Sequence, residues 1–252
     1  MSIFHDILST ISVEFPILSV IHFFEVINMN TAATQNQTKD ELQITLSKIS
    51  HEIRNPLALV SSEMQLMTSR HPEIADYSEW YAIMDNIEYI RSLLDELSCY
   101  SHAANITPRP TQLAPYLHSL VNVLKPTMDY LDITLETEIA PDLPNLPLNH
   151  LKMRQALFNL LRNAQEAVSY PGGHIILRAQ NMGTRVCISV EDNGCGIQPE
   201  QIDSIFSLFV TSKPEGTGIG LAITKEIIEA HGGQIEVDCR PGHGTIFRLF
   251  LG

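Results

Sequence analysis

Two amphipathic stripes in the first half of the chain predict a pair of helices. In the first stripe, apolar residues recur at steps of three and four: Leu42, Leu46, Ile49, Ile53, Leu57, Val60, Met64 and Met67. His71-Pro72 ends this run, and the second stripe has the same spacing: Ile83, Ile87, Ile90, Leu94 and Leu97. Such spacing is typical of a helix with one buried face. Pro56 lies inside the first helix and is expected to bend it, because proline lacks the amide donor.

The short connection between these helices predicts an antiparallel hairpin. A single hairpin cannot bury both apolar stripes, so a second copy of the chain should complete a four-helix bundle. We therefore expect a homodimer, and we assign residues 36–106 to the dimerisation region.

After Pro108 and Pro110 the pattern changes to alternating helices and strands. Helices are predicted over 112–124, around 159–163 and over 221–230. Strands are predicted over 133–139, 174–180, 185–190, 234–239 and 245–251. Three prolines, at 141, 144 and 147, predict a stiff loop. Helices grouped against a mixed, largely antiparallel sheet form an α/β sandwich, so the fold class is α+β and the second domain covers residues 107–252.

The first 35 residues predict a short element and linker rather than a further complete domain. Residues 11–27 are strongly apolar but are interrupted by Glu14, Pro16, His22 and Glu25. A spanning helix needs about 20 mostly apolar residues with few charges, so membrane association is not expected. The segment also lacks the features of a signal peptide. A packing or dimer-contact element is the favoured interpretation, and contact with a membrane is the alternative.

The charge balance is acidic, with 16 Lys plus Arg against 29 Asp plus Glu. This balance argues against nucleic acid or an anionic membrane as the main partner. The cysteines are scattered and form no CxxC pair: Cys99, Cys187, Cys195 and Cys239. They fit reduced thiols in a cytoplasmic protein better than a disulfide or zinc framework.

Asn159 and Asn163 are candidate ligands in a nucleotide site. They are one helical turn apart and therefore share a face. A neutral amide offers an oxygen to magnesium without repelling the phosphates that supply the other ligands. The alternative is that both side chains only bond to neighbouring backbone.

Asp192 is a candidate adenine-binding residue in the sequence DNGCGI at residues 192–197. A carboxylate at the end of a strand can accept a hydrogen bond from the exocyclic amine of adenine. Gly194 and Gly196 would let the backbone approach the ring. The alternative is a plain turn at the strand end, which the same residue types favour.

The sequence GTGIGL at residues 216–221 opens the predicted helix 221–230. Glycine-rich backbone leading into a helix N-terminus presents free amides to an anion. The run is neither the dinucleotide fingerprint nor a Walker loop. Lys213, just before it, either reaches a terminal phosphate or is a solvated loop charge.

His51 is the candidate nucleophile. It lies two residues from both Ile49 and Ile53, which places it about 200° from the apolar stripe and facing solvent. Imidazole is a good nucleophile near neutral pH. Asn55, at i+4, shares this face and could orient a water, whereas Glu52, roughly 100° round the helix, could accept a proton.

Together these residues resemble the sensor histidine kinases of bacterial two-component systems. The matching segments, in chain order, are 50–57 (SHEIRNPL) for the H box, 159–163 (NLLRN) for the N box, 192–197 (DNGCGI) for the G1 box, 207–213 (SLFVTSK) for the F box, 216–221 (GTGIGL) for the G2 box and 242–245 (GHGT) for a closing glycine motif. Agreement runs from about residue 40 to the end, with the boxes in family order and spacing.

The resemblance implies an ATP-dependent protein-histidine kinase with ATP and Mg²⁺ as cofactors. His51 would be phosphorylated and would pass the phosphoryl group to an aspartate of a response regulator receiver domain. Glu52 would be the general base, and Asn55 would position water for dephosphorylation of the regulator. Asn163 would be the metal ligand. The other implied nucleotide contacts are Asn159, Asp192, Gly194, Gly196, Ile197, Lys213, Gly216, Thr217, Gly218, Ile219, Gly220, Leu221 and Thr245.

Two other classes of protein stay open as alternatives to a histidine kinase. ATP-hydrolysing chaperones and topoisomerase-like proteins share the ATP fold, but they carry a carboxylate one turn before the metal-binding asparagine. This chain has Asn159 at that position, which favours transfer to a side chain over hydrolysis. The second class is a phosphotransfer dimer with a decayed nucleotide site, and the intact set of Asn163, Asp192 and the three loop glycines argues against it.

Overall fold

The computed structural model describes residues 39–168, 171–213, 216–239 and 242–252. The predicted N-terminal element of residues 1–35 lies outside the described residues. The chain divides into two compact units, Met1–Thr45 and Leu46–Gly252. In the first unit, the described residues form the beginning of a helix. The second unit contains the rest of that helix and the other helices and strands of the described residues.

The predicted helical pair is present. Helix α1 is Lys39–Arg70, and it continues through Pro56 without interruption. A 3₁₀ turn, Pro72–Asp76, leads to helix α2, Ser78–Ser101. Arg54 of α1 donates hydrogen bonds to the carboxylate of Asp95 (3.0 Å) and the carbonyl of Leu94 (3.4 Å) on α2. The bonded residues lie at similar distances along the chain from the turn, as in an antiparallel hairpin.

Among the described residues, the strands of the larger sheet are β2 Ile133–Ile139, β4 Gly173–Asn181, β5 Val186–Asp192, β6 Gln234–Cys239 and β7 Thr245–Leu251. These five strands are paired in the order β2-β4-β5-β7-β6. β2 pairs in parallel with β4, and the other pairs are antiparallel. The expected mixed, largely antiparallel sheet is therefore confirmed.

Three helices accompany the sheet: α3 Leu113–Tyr130, α4 His150–Ala167 and α5 Gly220–Ala230. α4 packs against β4, β5 and α5, while α3 packs against β2 and α5 against β6. Helix α4 begins after Asn149, whose side chain caps it by accepting the amide of Lys152 at 3.1 Å. The core between helices and sheet is fully buried and apolar: Leu157, Leu160, Leu161, Ile175, Leu177, Ile188, Ile223 and Ile227.

Two local predictions were wrong. The stiff loop predicted around Pro147 contains strand β3, Asn145–Leu148, which pairs antiparallel with β1, Arg109–Gln112. Leu146 and Leu148 are buried, while Pro147 lies exposed opposite Pro110. The strands form because alternate residues reach the core, and proline is tolerated in such an isolated pair.

Helix α3 was predicted to end at residue 124 but continues to Tyr130, through Pro126. Met128 lies in this extension and is only 1% exposed, so its burial favours the last helical turn.

None of the described helices is both long enough and apolar enough to span a bilayer. The division into domains 36–106 and 107–252, and the bend at Pro56, stay predictions.

Candidate active site

A cavity of about 450 Å³ opens beside α4 and the glycine-rich loop. Most of the predicted nucleotide contacts line it: Asn159, Asn163, Asp192, Gly196, Ile197, Lys213, Gly216, Thr217, Gly218, Gly220, Leu221 and Thr245. Four separate segments of sequence therefore meet in one place. Two predicted contacts lie behind the lining: Ile219 has no exposed surface, and Gly194 is buried in the turn after Asp192.

Asp192 ends strand β5 at the floor of the cavity and is only 7% exposed. Its carboxylate accepts the amide of Gly194 at 2.8 Å and a backbone hydrogen bond from Thr245. Burial raises the pKa of Asp192 above its usual value, and these two hydrogen bonds oppose the rise. The side chain is thus an oriented, partly desolvated group of the kind that binds a polar edge of a ligand.

The turn after Asp192 is packed tightly against the end of helix α4. A Cβ atom on Gly194 would lie 2.5 Å from the carbonyl oxygen of Ala167, so only glycine fits. The next amide, of Cys195, donates to the same oxygen at 3.1 Å and satisfies the helix end. The glycine in this motif is therefore required by close approach of two backbones.

The two asparagines of α4 face different partners. Asn159 donates through Nδ2 to the carbonyl oxygen of Gly220 at 3.0 Å, and this bond ties α4 to the first residue of α5. Asn163 accepts a hydrogen bond from the ammonium of Lys213, with 3.3 Å between Nζ and Oδ1. The Oδ1 atom of Asn163 therefore already faces a cation.

Sequence reasoning missed Glu166, which also binds Lys213. Its Oε2 atom accepts from the ammonium of Lys213, and its Oε1 atom is 2.8 Å from Nε of Arg162. Burial would raise the pKa of Glu166, but the hydrogen bonds from Lys213 and Arg162 outweigh it and hold the pKa below its usual value. Its place at i+3 from Asn163 was the available signal, since residues three apart share a helix face.

The glycine-rich loop is held in place by the segment before it. Gly218 has φ of +68° and its carbonyl oxygen accepts the amide of Phe209 at 3.0 Å. A Cβ atom on Gly218 would lie 2.6 Å from the carbonyl carbon of Phe209. The loop ends at Gly220, where α5 begins, so the free amides of the helix N-terminus lie beside the cavity.

A second missed residue, Glu96, enters the cavity from the hairpin. It belongs to α2, lines the cavity and accepts a hydrogen bond from the hydroxyl of Thr217 in the glycine-rich loop. The two residues are 121 positions apart, and nothing in the local sequence of α2 indicates this contact.

The three predicted catalytic residues lie on α1, outside the cavity lining. His51, Glu52 and Asn55 are all exposed, as expected for a face turned away from the apolar stripe. Glu52 is 3.9 Å from the ammonium of Lys48, one turn before it. The neighbouring Ser50 is buried, and its hydroxyl donates to the carbonyl of Leu46 at 2.7 Å.

The donor set around Asn163 fits magnesium that is shared with phosphates. Among the residues that the structure describes, no three His, Cys, Asp or Glu side chains gather into a metal-binding group. Magnesium commonly takes one or two protein oxygens and completes its shell with phosphate and water. The amide oxygen of Asn163, which contacts the Lys213 ammonium, is suited to that role.

Comparison with known proteins agrees with this geometry. Residues 149–252 match the family described as histidine kinase-, DNA gyrase B- and HSP90-like ATPases. The sensory histidine kinase/phosphatase NtrB of Salmonella typhimurium is 33% identical over 214 residues, which cover 81% of this chain and 60% of NtrB. The chain thus spans about 60% of the length of that relative.

Two solved structures have the same fold. Full-length ShkA in complex with AMPPNP aligns with a TM-score of 0.67 and 25% identity, over 82% of this chain and 45% of ShkA. The catalytic domain of the histidine kinase ThkA aligns with a TM-score of 0.53 and 28% identity, over 58% of this chain and 95% of that domain. The fold and the site define an ATPase domain of the histidine kinase type. Residues 149–252 thus match the ATPase family, and the chain is similar to bacterial sensor histidine kinases.

Proposed function

We propose that the protein is an ATP-dependent protein-histidine kinase that phosphorylates its own His51 and transfers the phosphoryl group to an aspartate of a response regulator. The observation that carries this proposal is the meeting of the N, G1, F and G2 segments in one cavity. The likeness to NtrB, whose name includes a phosphatase activity, supports a second role in dephosphorylating the regulator.

In this proposal the nucleotide lies along the cavity from Asp192 to the glycine-rich loop. The buried carboxylate of Asp192 accepts from the amine of adenine, and the amides before α5 bind phosphate oxygens. Asn163 is the protein ligand of Mg²⁺, which would neutralise phosphate charge when bound. Lys213 lies beside Asn163 and is the nearest candidate for a terminal phosphate, since its ammonium already points into the cavity.

The proposed chemical step is an in-line displacement at the γ-phosphorus. A ring nitrogen of His51 attacks and forms the N–P bond, while the bond from phosphorus to the bridging oxygen breaks and ADP leaves. Glu52 takes the imidazole proton. In the second step a regulator aspartate attacks phosphorus, an O–P bond forms, and the imidazole leaves. The exposure of His51 supports both steps, because each requires a partner surface to approach it.

We also propose that the active species is a homodimer. Large apolar side chains are exposed along the hairpin of the isolated chain: Leu59, Leu66, Tyr81, Ile83 and Tyr89. The Oγ atom of Ser61, on the same hairpin, is buried without a hydrogen-bond partner. Exposed apolar surface of this kind is typical of an interface, and a second hairpin would cover it.

A cytoplasmic location is proposed, because the cysteines are free and ATP is the substrate.

The test is incubation of the purified chain with ATP labelled at the γ-phosphate, followed by acid and alkali treatment of the labelled protein. We expect an adduct that is labile to acid and stable to alkali, as phosphohistidine is. His51→Gln should abolish labelling and retain nucleotide binding. His118→Gln is the matched control, because His118 is also exposed but lies on α3, a different helix from that of His51. Labelling of the His51→Gln protein would overturn the assignment of the acceptor.

A further inference from the structure

Two oxygen atoms at the end of helix α4 converge on one cation. Asn163 and Glu166 are three residues apart on this helix, so their side chains share a face. The ammonium of Lys213 contacts both Oδ1 of Asn163, at 3.3 Å, and Oε2 of Glu166. The arrangement is a pair of hard oxygen ligands already directed at a common positive charge.

The surroundings orient Glu166 and favour a cation at this position. Its Oε1 atom is held by Nε of Arg162 at 2.8 Å, which leaves Oε2 as the atom that faces the shared cation. Both ligating residues lie within the last five residues of α4, which ends at Ala167. The C-terminal end of a helix carries partial negative charge and stabilises cations.

We propose that Glu166 is a second protein ligand of the magnesium bound with the nucleotide, acting through Oε2 beside the amide oxygen of Asn163. This inference rests on the proposed function. Magnesium bound with a nucleotide often takes a carboxylate together with phosphate oxygens. The metal and the Lys213 ammonium compete for the same two oxygens. A metal held by these two oxygens would displace the Lys213 ammonium, which lines the same cavity and could then contact the terminal phosphate.

The magnesium dependence of the nucleotide affinity distinguishes a metal ligand from a residue that only anchors Lys213. If Glu166 is a metal ligand, its carboxylate strengthens nucleotide binding only when magnesium is present, and it repels the phosphates of metal-free ATP. If Glu166 only anchors Lys213, its loss changes the affinity by the same factor with and without the metal. The ratio of the two affinities therefore distinguishes the roles.

The experiment measures binding of a fluorescent ATP analogue to the full chain, once with saturating Mg²⁺ and once with EDTA. In Glu166→Gln we expect the ratio of the two affinities to fall at least about ten-fold, the loss typical when a group supporting a metal site is removed. Retained binding in EDTA shows that the variant is folded. Glu136→Gln is the matched control, since Glu136 is an exposed carboxylate on β2.

A direct metal titration completes the test. The apparent dissociation constant of Mn²⁺ for the protein–ADP complex, followed by the electron paramagnetic resonance signal of free Mn²⁺, should rise by a similar factor in Glu166→Gln. An unchanged ratio of affinities and an unchanged Mn²⁺ constant would overturn the role of Glu166 alone. Failure of the unaltered chain to bind nucleotide in either condition would overturn the nucleotide site itself and this inference with it.

Discussion

The hydroxyl of Thr217 donates a hydrogen bond to the carboxylate of Glu96, and this bond joins the glycine-rich loop to the second helix of the hairpin. Helix α2 also packs against α5, which begins three residues after Thr217. The adjacent Asp95 of α2 is bonded to Arg54 of α1, the helix that carries His51. The proposed phosphate loop and the proposed acceptor helix are thus connected through two consecutive residues of α2.

The first prediction concerns Glu96, whose carboxylate lies where phosphates are proposed to bind. Glu96→Gln should tighten ATP binding by up to about five-fold, because interactions of partly exposed charges amount to roughly 0.2–1 kcal/mol. The gain should shrink as salt is added. Fluorescent nucleotide titration at two ionic strengths measures both effects.

Glu88→Gln is the control for Glu96, since Glu88 is an exposed carboxylate on the same helix. It should leave the affinity unchanged. Weaker binding in Glu96→Gln would mean that the carboxylate supports the loop rather than opposing the nucleotide.

The second prediction concerns Asn163 as the metal ligand. Asn163→Ala should abolish autophosphorylation at saturating magnesium, because the metal loses a protein oxygen beside the phosphates. Nucleotide binding measured in EDTA should persist. Asn122→Ala, an exposed asparagine on α3, is the matched control. Normal labelling of the Asn163→Ala protein would count against the metal role.

The third prediction separates the two proposed activities. Asn55 is exposed on α1 one turn after His51, where its amide can orient a water. Asn55→Ala should leave labelling of His51 intact and slow the dephosphorylation of a phosphorylated receiver domain. Parallel assays of the two reactions measure the effect, and an equal loss of both would contradict this division of roles.

The fourth prediction concerns Gly218. Gly218→Ala should sharply weaken nucleotide binding, because its φ is +68° and the added Cβ would lie 2.6 Å from the carbonyl carbon of Phe209. Gly183→Ala provides a matched control: φ is +86° there, and a Cβ would meet no atom within 4 Å. Backbone strain of roughly 1–3 kcal/mol is common to both variants. The difference in their ATP affinities therefore measures the clash, and equal affinities would show that the close approach is unimportant.

Helices and strands were predictable where apolar residues recur along the sequence at one regular spacing. Strand β6 alternates between exposed polar and half-buried apolar residues along its whole length, and the amino-acid sequence alone carries this period of two. The helix carrying Asn159 and Asn163 was predictable for the same reason. Short strands such as β1 and β3 were missed, because four residues that include a proline give too little pattern and depend on pairing across the chain.

The candidate site was predictable only where a local motif carried the chemistry. The glycines, Asn163 and Asp192 are marked by residue type and spacing. Glu96 is not marked in this way, since Thr217 lies 121 residues further along. The i+3 spacing places Glu166 on the same face as Asn163 but not beside Lys213, which lies 47 residues further along. Contacts between distant segments are set by tertiary packing, and a single sequence does not reveal them.

The close contact between the backbones of Gly194 and Ala167 limits the size of the ligand. Because the amide of Cys195 is also bonded to Ala167, the turn that carries Asp192 and the end of α4 that carries Asn163 form one rigid block. The distance between the groups that we propose to bind the base and the metal is therefore fixed. A nucleotide must match that span by its own length, and adjustment during turnover falls to Lys213 and the loop around Gly218.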